Sequence, residues 1–189
     1  MEVRFHRTAE RRYAVTIHRR DAPTVGMNPA PGYDPFLPHD LLHLVVESEL
    51  GLRRGIFGQV AAGGHAGTFR RDESTGESRR DLARRRRRAA RRGDRLLREG
   101  RDEAAQSERA TFVCLVWWLA RSEDRERKRI ARAMTSQAKH VQDTQPPAER
   151  RALTPAAIAR ICARLDELSA RWQELEIGQS ISVEWPHRS

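Results

Sequence analysis

The residues best equipped for chemistry lie in one short run, Pro38-His39-Asp40-Leu41-Leu42-His43-Leu44-Val45-Val46-Glu47. Two histidines four apart, with a glutamate four further on, share one side of a helix. At about 100° per residue, His43 falls about 40° from His39, Glu47 about 80° and Asp40 about 100°. Leu41, Leu42, Leu44, Val45, Val46 and Leu50 fill most of the remaining circumference. Neutral imidazole nitrogens together with a carboxylate suit zinc, iron or manganese. His39, His43 and Glu47 are therefore the candidate ligands of a divalent metal, and Asp40 is the candidate catalytic base or supporting carboxylate. An open coordination position would hold water and permit hydrolysis or hydration. Asp34, Glu49 and His65 are candidates to complete the site from nearby turns. The plain alternative is the wetted face of an amphipathic helix, with Asp40 favoured near its positive N-terminal end.

The charge distribution favours the metal. The chain of 189 residues carries 36 Lys and Arg against 26 Asp and Glu, and Lys128 and Lys139 are its two lysines. Residues 21–52 contain no Lys or Arg but include Asp21, Asp34, Asp40, Glu47 and Glu49. That segment holds −5 inside a protein of +10. A guanidinium nearby would repel a cation and compete for its carboxylates. The run His39-Asp40-Leu41-Leu42-His43 resembles the HDxxH element of the ubiquinone-biosynthesis zinc proteins of the coenzyme Q family, over five residues. In that family a further glutamate follows the second histidine after eleven residues; here the position is Gly55, which removes a ligand. The run is also similar to the HExxH of zinc proteases, with the shorter Asp40 where those enzymes have a glutamate base.

A second feature is cationic. Between Arg79 and Arg98 stand eleven arginines against Asp81 and Asp94, so this stretch carries +9. Leu82, Ala89 and Leu96 fall seven apart and leave a thin apolar ridge on an otherwise cationic helix. Arg84, Arg85, Arg86, Arg87, Arg88, Arg91 and Arg92 are the candidate contacts to nucleic-acid backbone or to an acidic protein, residues 21–52 of another copy being one such acidic surface. No aromatic residue occurs between Arg70 and Ala110, so base stacking from this block is absent. A solvated arginine helix from a high-GC bacterial genome is the bland reading of the same residues.

These groups must be positioned by the elements around them. Residues 2–6 and 13–17 alternate apolar and polar, and residues 7–11 between them read as a hairpin loop. Ile181, Val183 and Trp185 alternate likewise, and the C-terminal strand is predicted to join the hairpin, because two strands bury an apolar face poorly. A helix is predicted over 35–50, closed by Gly51. Another is predicted over 155–176, with Thr154 as N-cap, Pro155 first, and Ile158, Ile161, Leu165, Leu168, Trp172 and Leu175 on its core face. Residues 103–142 read as one long helix, buried through 112–120 and ended by Pro146-Pro147. The adjacent Trp117 and Trp118 suggest that it is wrapped on several sides.

The expected fold is α+β and a single domain over 1–189. Its core comes from 1–62 and 103–185, with a flexible linker over 63–78 and a projecting arginine helix over 79–101. The longest apolar run, residues 112–120, is too short for a membrane span, which needs about 20 residues. A charged N-terminus without an apolar stretch and two cysteines among apolar neighbours lead to an expectation of reducing cytoplasm. Opposite charge on two segments is compatible with homo-oligomers. Three functions are consistent with the sequence: a metal-binding protein with a metal-bound water, a non-catalytic module for nucleic acid or an acidic partner, or a structural protein.

Overall fold

The computed structural model describes residues 1–20, 22–32, 35–71 and 79–186. The chain opens with three strands, β1 (Glu2–Ala9), β2 (Arg12–Arg19) and β3 (Ala22–Met27). Helices α1 (His39–Leu50) and α2 (Ile56–Ala61) follow, then a two-residue strand β4 (Arg70–Arg71). The remainder is helical until the last strand: α3 (Arg79–Glu99), α4 (Arg101–Arg121), α5 (Arg125–Thr144), α6 (Pro147–Ala152), α7 (Pro155–Gln173) and β5 (Ser180–Glu184). The architecture is α+β, as expected.

The sheet has the order β4-β3-β2-β1-β5 and is antiparallel throughout. Its register aligns the alternating apolar residues. Val3 stands opposite Ile17 and Val183, Phe5 opposite Val15 and Ile181, and Val15 opposite Met27. All of these are buried. A slip of one residue would turn the whole set to solvent, so burial fixes the pairing. The C-terminal strand does join the N-terminal hairpin, and the Met1 ammonium lies 3.6 Å from Glu184. Strand β3 goes beyond the sequence reading, in which Pro23 and Gly26 obscure its alternation.

Helix α1 packs against α2, α4 and α7. Every residue from Asp40 to Glu47 is buried. Gly51 ends the helix in the left-handed conformation, φ 69°. Helix α7 starts as read: the Thr154 side chain accepts the amide of Ala157, and Ile161, Leu165, Leu168 and Trp172 are buried.

The long helix expected over 103–142 is two helices. Ser122–Asp124 break it, the Asp124 carboxylate accepts the Arg127 amide, and α5 folds back along α4. The three polar residues supply a cap for a new helix where the apolar rhythm alone suggests continuity. Trp118 is fully buried, its indole donating to Asp166, whereas Trp117 is 48 % exposed, so α4 is not enclosed at that point. Cys114 and Cys162 are buried free thiols, and burial pushes Cys114 up to about 12. Of the expected linker, residues 63–69 form turns that lead into β4, and residues 72–78 lie outside the described residues. Among the described residues no helix is long and apolar enough to cross a membrane.

Candidate metal centre

Helix α1 brings His39 and His43 together at its first turn. Their Nε2 atoms are 3.1 Å apart, with the rings edge to face. The third donor comes from α4, because Glu108 Oε2 lies 3.6 Å from His43 Nε2. The ligand atoms of His39, His43 and Glu108 all lie within 4.8 Å of one another. A tetrahedral ion with bonds of about 2.0–2.2 Å holds neighbouring donors about 3.3–3.6 Å apart. His43 Nε2 stands close to that spacing from both partners, at 3.1 and 3.6 Å, and the third separation is within 4.8 Å, so a bound ion would draw His39 and Glu108 together.

The other side of the His43 ring is bound just as specifically. Nδ1 is 2.9 Å from Ser107 Oγ and 3.3 Å from Thr111 Oγ1. Ser107 Oγ donates to Glu47 Oε1 at 2.8 Å. With its proton turned to the carboxylate, the serine oxygen accepts the imidazole Nδ1–H, which leaves Nε2 unprotonated, an acceptor facing His39 Nε2 and Glu108. Metal-binding histidines are held in this way, and such supporting partners orient the ring and raise its basicity. Burial pushes His43 down to about 3, helped by the charge of His39, so the imidazole is neutral. Neutrality is the form a metal needs.

Glu47 therefore lies on the Nδ1 side of His43 and not beside the Nε2 donors. Its carboxylate also accepts the amides of Ile56 (2.7 Å) and Phe57 (2.8 Å). These belong to the first turn of α2, whose N-cap, Gly55, offers no side chain. Glu47 thus caps a neighbouring helix, satisfying amides that have no partner within it. Burial pushes its carboxyl up to about 7, opposed by the bonds from Ser107 and the α2 amides. The position where the coenzyme Q resemblance has a glutamate is closed for the same reason, since a Cβ on Gly55 would stand 2.5 Å from Glu47 Cδ.

Asp40 is buried beside the cluster and is raised by burial, while the charges of His39 and Glu108 act on it in opposite directions. Its Oδ2 accepts the Tyr13 hydroxyl at 2.5 Å, and Pro31 O lies 2.9 Å from the same hydroxyl. Of the residues named to complete the site, Glu49 pairs with Arg160, and His65 Nδ1 accepts the amide of Gly67. Asp34 lies outside the described residues. The arginine next to Glu108 is neutralised elsewhere: Arg109 forms two hydrogen bonds to Glu149, at 2.9 and 2.6 Å.

Ser107, Glu108 and Thr111 escaped the sequence reading. They sit more than 60 residues from His43, on a stretch whose one signal is a pair of small hydroxyl residues four apart leading into an apolar run. The arginine block is a helix that touches α2 and α4. Arg84, Arg87, Arg88, Arg91 and Arg92 are exposed, Arg86 is exposed and engaged in an interaction, and the side chain of Arg85 lies outside the described residues. Comparison with protein-family models, curated proteins and solved structures finds no match.

Proposed function

We propose that the chain binds a divalent metal of the zinc, iron or manganese class through His39 Nε2, His43 Nε2 and the Glu108 carboxylate. The observation that carries this reading is the approach of those three donors while Ser107 and Glu47 hold the opposite nitrogen of His43. Two imidazoles and one carboxylate form a recurrent ligand set for catalytic zinc and for ferrous iron. Three protein ligands leave a position for water, whose pKa a bound zinc lowers to about 7. Glu108 is exposed, so that position would meet solvent, and hydrolysis or hydration is the chemistry expected of it. Asp40, bonded to Tyr13, supports the site and is not assigned the part of base.

The test is elemental analysis of the untagged full chain purified without chelator, followed by zinc titration of chelator-stripped protein. About one ion per chain is expected, lost in His43→Ala and in Glu108→Ala and kept in Glu49→Ala. Ser107→Ala should weaken binding by about 10–100-fold, the usual effect of removing a group that orients a ligand. A wild-type chain that takes up no metal, or a folded Glu108→Ala variant that binds as tightly as the parent, overturns the assignment.

A further inference from the structure

Six arginines of α3 share one face. Placed at about 100° per residue, Arg84, Arg87, Arg88, Arg91, Arg95 and Arg98 fall within a band about 100° wide. The opposite face carries Ala89, Gly93, Leu96 and Leu97, with the exposed Arg86 among them. On it Leu96 Cδ1 lies 3.0 Å from the Cβ position of Gly64, and Leu97 Cδ2 3.9 Å from that of Gly67. Helix α3 is thus seated by its thin apolar ridge, and the six arginines point away from the seat. All six are exposed. Among the described residues the ion pair they make is Arg95 with Glu99, at 3.7 Å.

From Arg84 to Arg98 the band runs about 21 Å along the helix. Like charges at i, i+4 destabilise an isolated helix, and Arg84–Arg88, Arg87–Arg91 and Arg91–Arg95 are such pairs. A partner that neutralises them together gains on every pair. We infer that this face of α3 docks on the phosphodiester backbone of a nucleic-acid duplex, without reading its base sequence.

Charge complementarity identifies the partner, and what the band lacks narrows it. A duplex presents one negative charge per about 1.7 Å of its axis, and its major groove, about 12 Å wide, admits an α-helix. Protein interfaces rest on buried aromatic or aliphatic anchors surrounded by a polar rim. The band has none, and the apolar ridge is already occupied. Membrane-surface helices likewise need a free apolar face. Single-strand binding draws on aromatic stacking platforms, and α3 has no aromatic residue.

The test is fluorescence anisotropy of the full chain with labelled duplexes of two unrelated sequences, in chelator, so that its outcome is independent of the metal. Six phosphate contacts predict a log–log salt slope near about −5, and a loss of about 10³ in affinity between 50 and 200 mM salt. The two duplexes should bind within tenfold of each other. Replacing Arg84, Arg88, Arg91 and Arg95 together by Gln should reduce the slope to about −2. The same four replaced by Lys should keep it, which separates loss of charge from loss of fold. Replacing Arg125, Arg132, Lys139 and Arg150 by Gln, four exposed cations elsewhere, should leave it unchanged. No binding at 50 mM salt, a slope equally reduced by the distant variant, or a larger sequence preference overturns the inference. So does displacement by polyglutamate at equal charge concentration, which would make the partner an acidic protein.

Discussion

His43 is the residue on which the site turns, because each of its nitrogens has a separate task. Nε2 faces His39 and Glu108, while Nδ1 is tied through Ser107 to Glu47. Two buried titratable groups in one chain of contacts give the metal-free protein a readable pH dependence. His43 is pushed down to about 3 in the fold against an ordinary 6.5, so the unfolded chain binds more protons between those values and stability rises with pH across that window. Glu47 is pushed up to about 7 against 4.5, so the folded chain binds more protons and stability falls as pH rises from 4.5 to 7. The two slopes oppose each other between about 4.5 and 6.5. Denaturant midpoints at a series of pH values, read as differences from the parent protein, isolate the two groups. Relative to the parent, the midpoint of His43→Gln should fall across this range as pH rises, and that of Glu47→Gln should rise. Asp40, raised by burial, and His6, lowered by it, are common to the parent and both variants and cancel in the comparison. Identical profiles for parent and both variants would show that neither group is held as described. The histidine pair is legible in the sequence because i, i+4 spacing is a local property of one helix. Glu108 is not, since one acidic residue among 26 becomes a candidate only when α4 is laid against α1.

At the scale of elements, α1 and α2 are joined by a carboxylate that serves the site at one remove. Glu47 reaches the first turn of α2 across the space a side chain at position 55 would need. Gly55→Ala forces the carboxylate, the α2 backbone or both to shift. Overpacking of this kind costs about 1–3 kcal/mol, which urea denaturation of the metal-free protein would register. Metal affinity should fall with it, because Ser107 loses its acceptor. A variant as stable as the parent would mean that Glu47 does not occupy that space. The same contact explains what the sequence could and could not disclose. The strands β1, β2 and β5 and the helices α1 and α7 are visible because alternation and 3.6-residue periodicity are written locally. The end of α4 at Arg121 is hidden by apolar spacing that continues into α5, and the short β4 is defined by its partner β3 and not by its own two residues. Glu47 is correctly placed on the side of α1 that carries His43, yet its partners, the amides of a later helix, have no signature in side-chain types.

For the whole molecule, the proposed ion would add a bond between parts of the chain already joined by packing and by the hydrogen bonds of Ser107 and Thr111 to α1. Helix α1 follows the N-terminal strands, and α4 leads into the C-terminal helices. The sheet is closed by β5 on β1, and Trp185 beyond β5 stacks on Phe57, whose amide binds Glu47. A metal held by His39, His43 and Glu108 pins α1 to α4 on the far side of His43 from that contact. An ion that binds the folded chain and not the unfolded one raises stability by mass action, by about 2.7 kcal/mol at a free concentration a hundredfold above its dissociation constant. In a domain of this length 1 kcal/mol moves the thermal midpoint by about 2–4 °C, so saturating zinc should raise it by about 5–10 °C and chelator should reverse the change. Glu108→Ala removes the ligand that α4 supplies, leaving an i, i+4 histidine pair of the kind a transient helix could also present. Its midpoint should respond to zinc by a small fraction of the parent's shift. A Glu108→Ala variant stabilised as much as the parent would mean that the ion binds within α1 alone, and that α4 packs against the helix without sharing a metal with it.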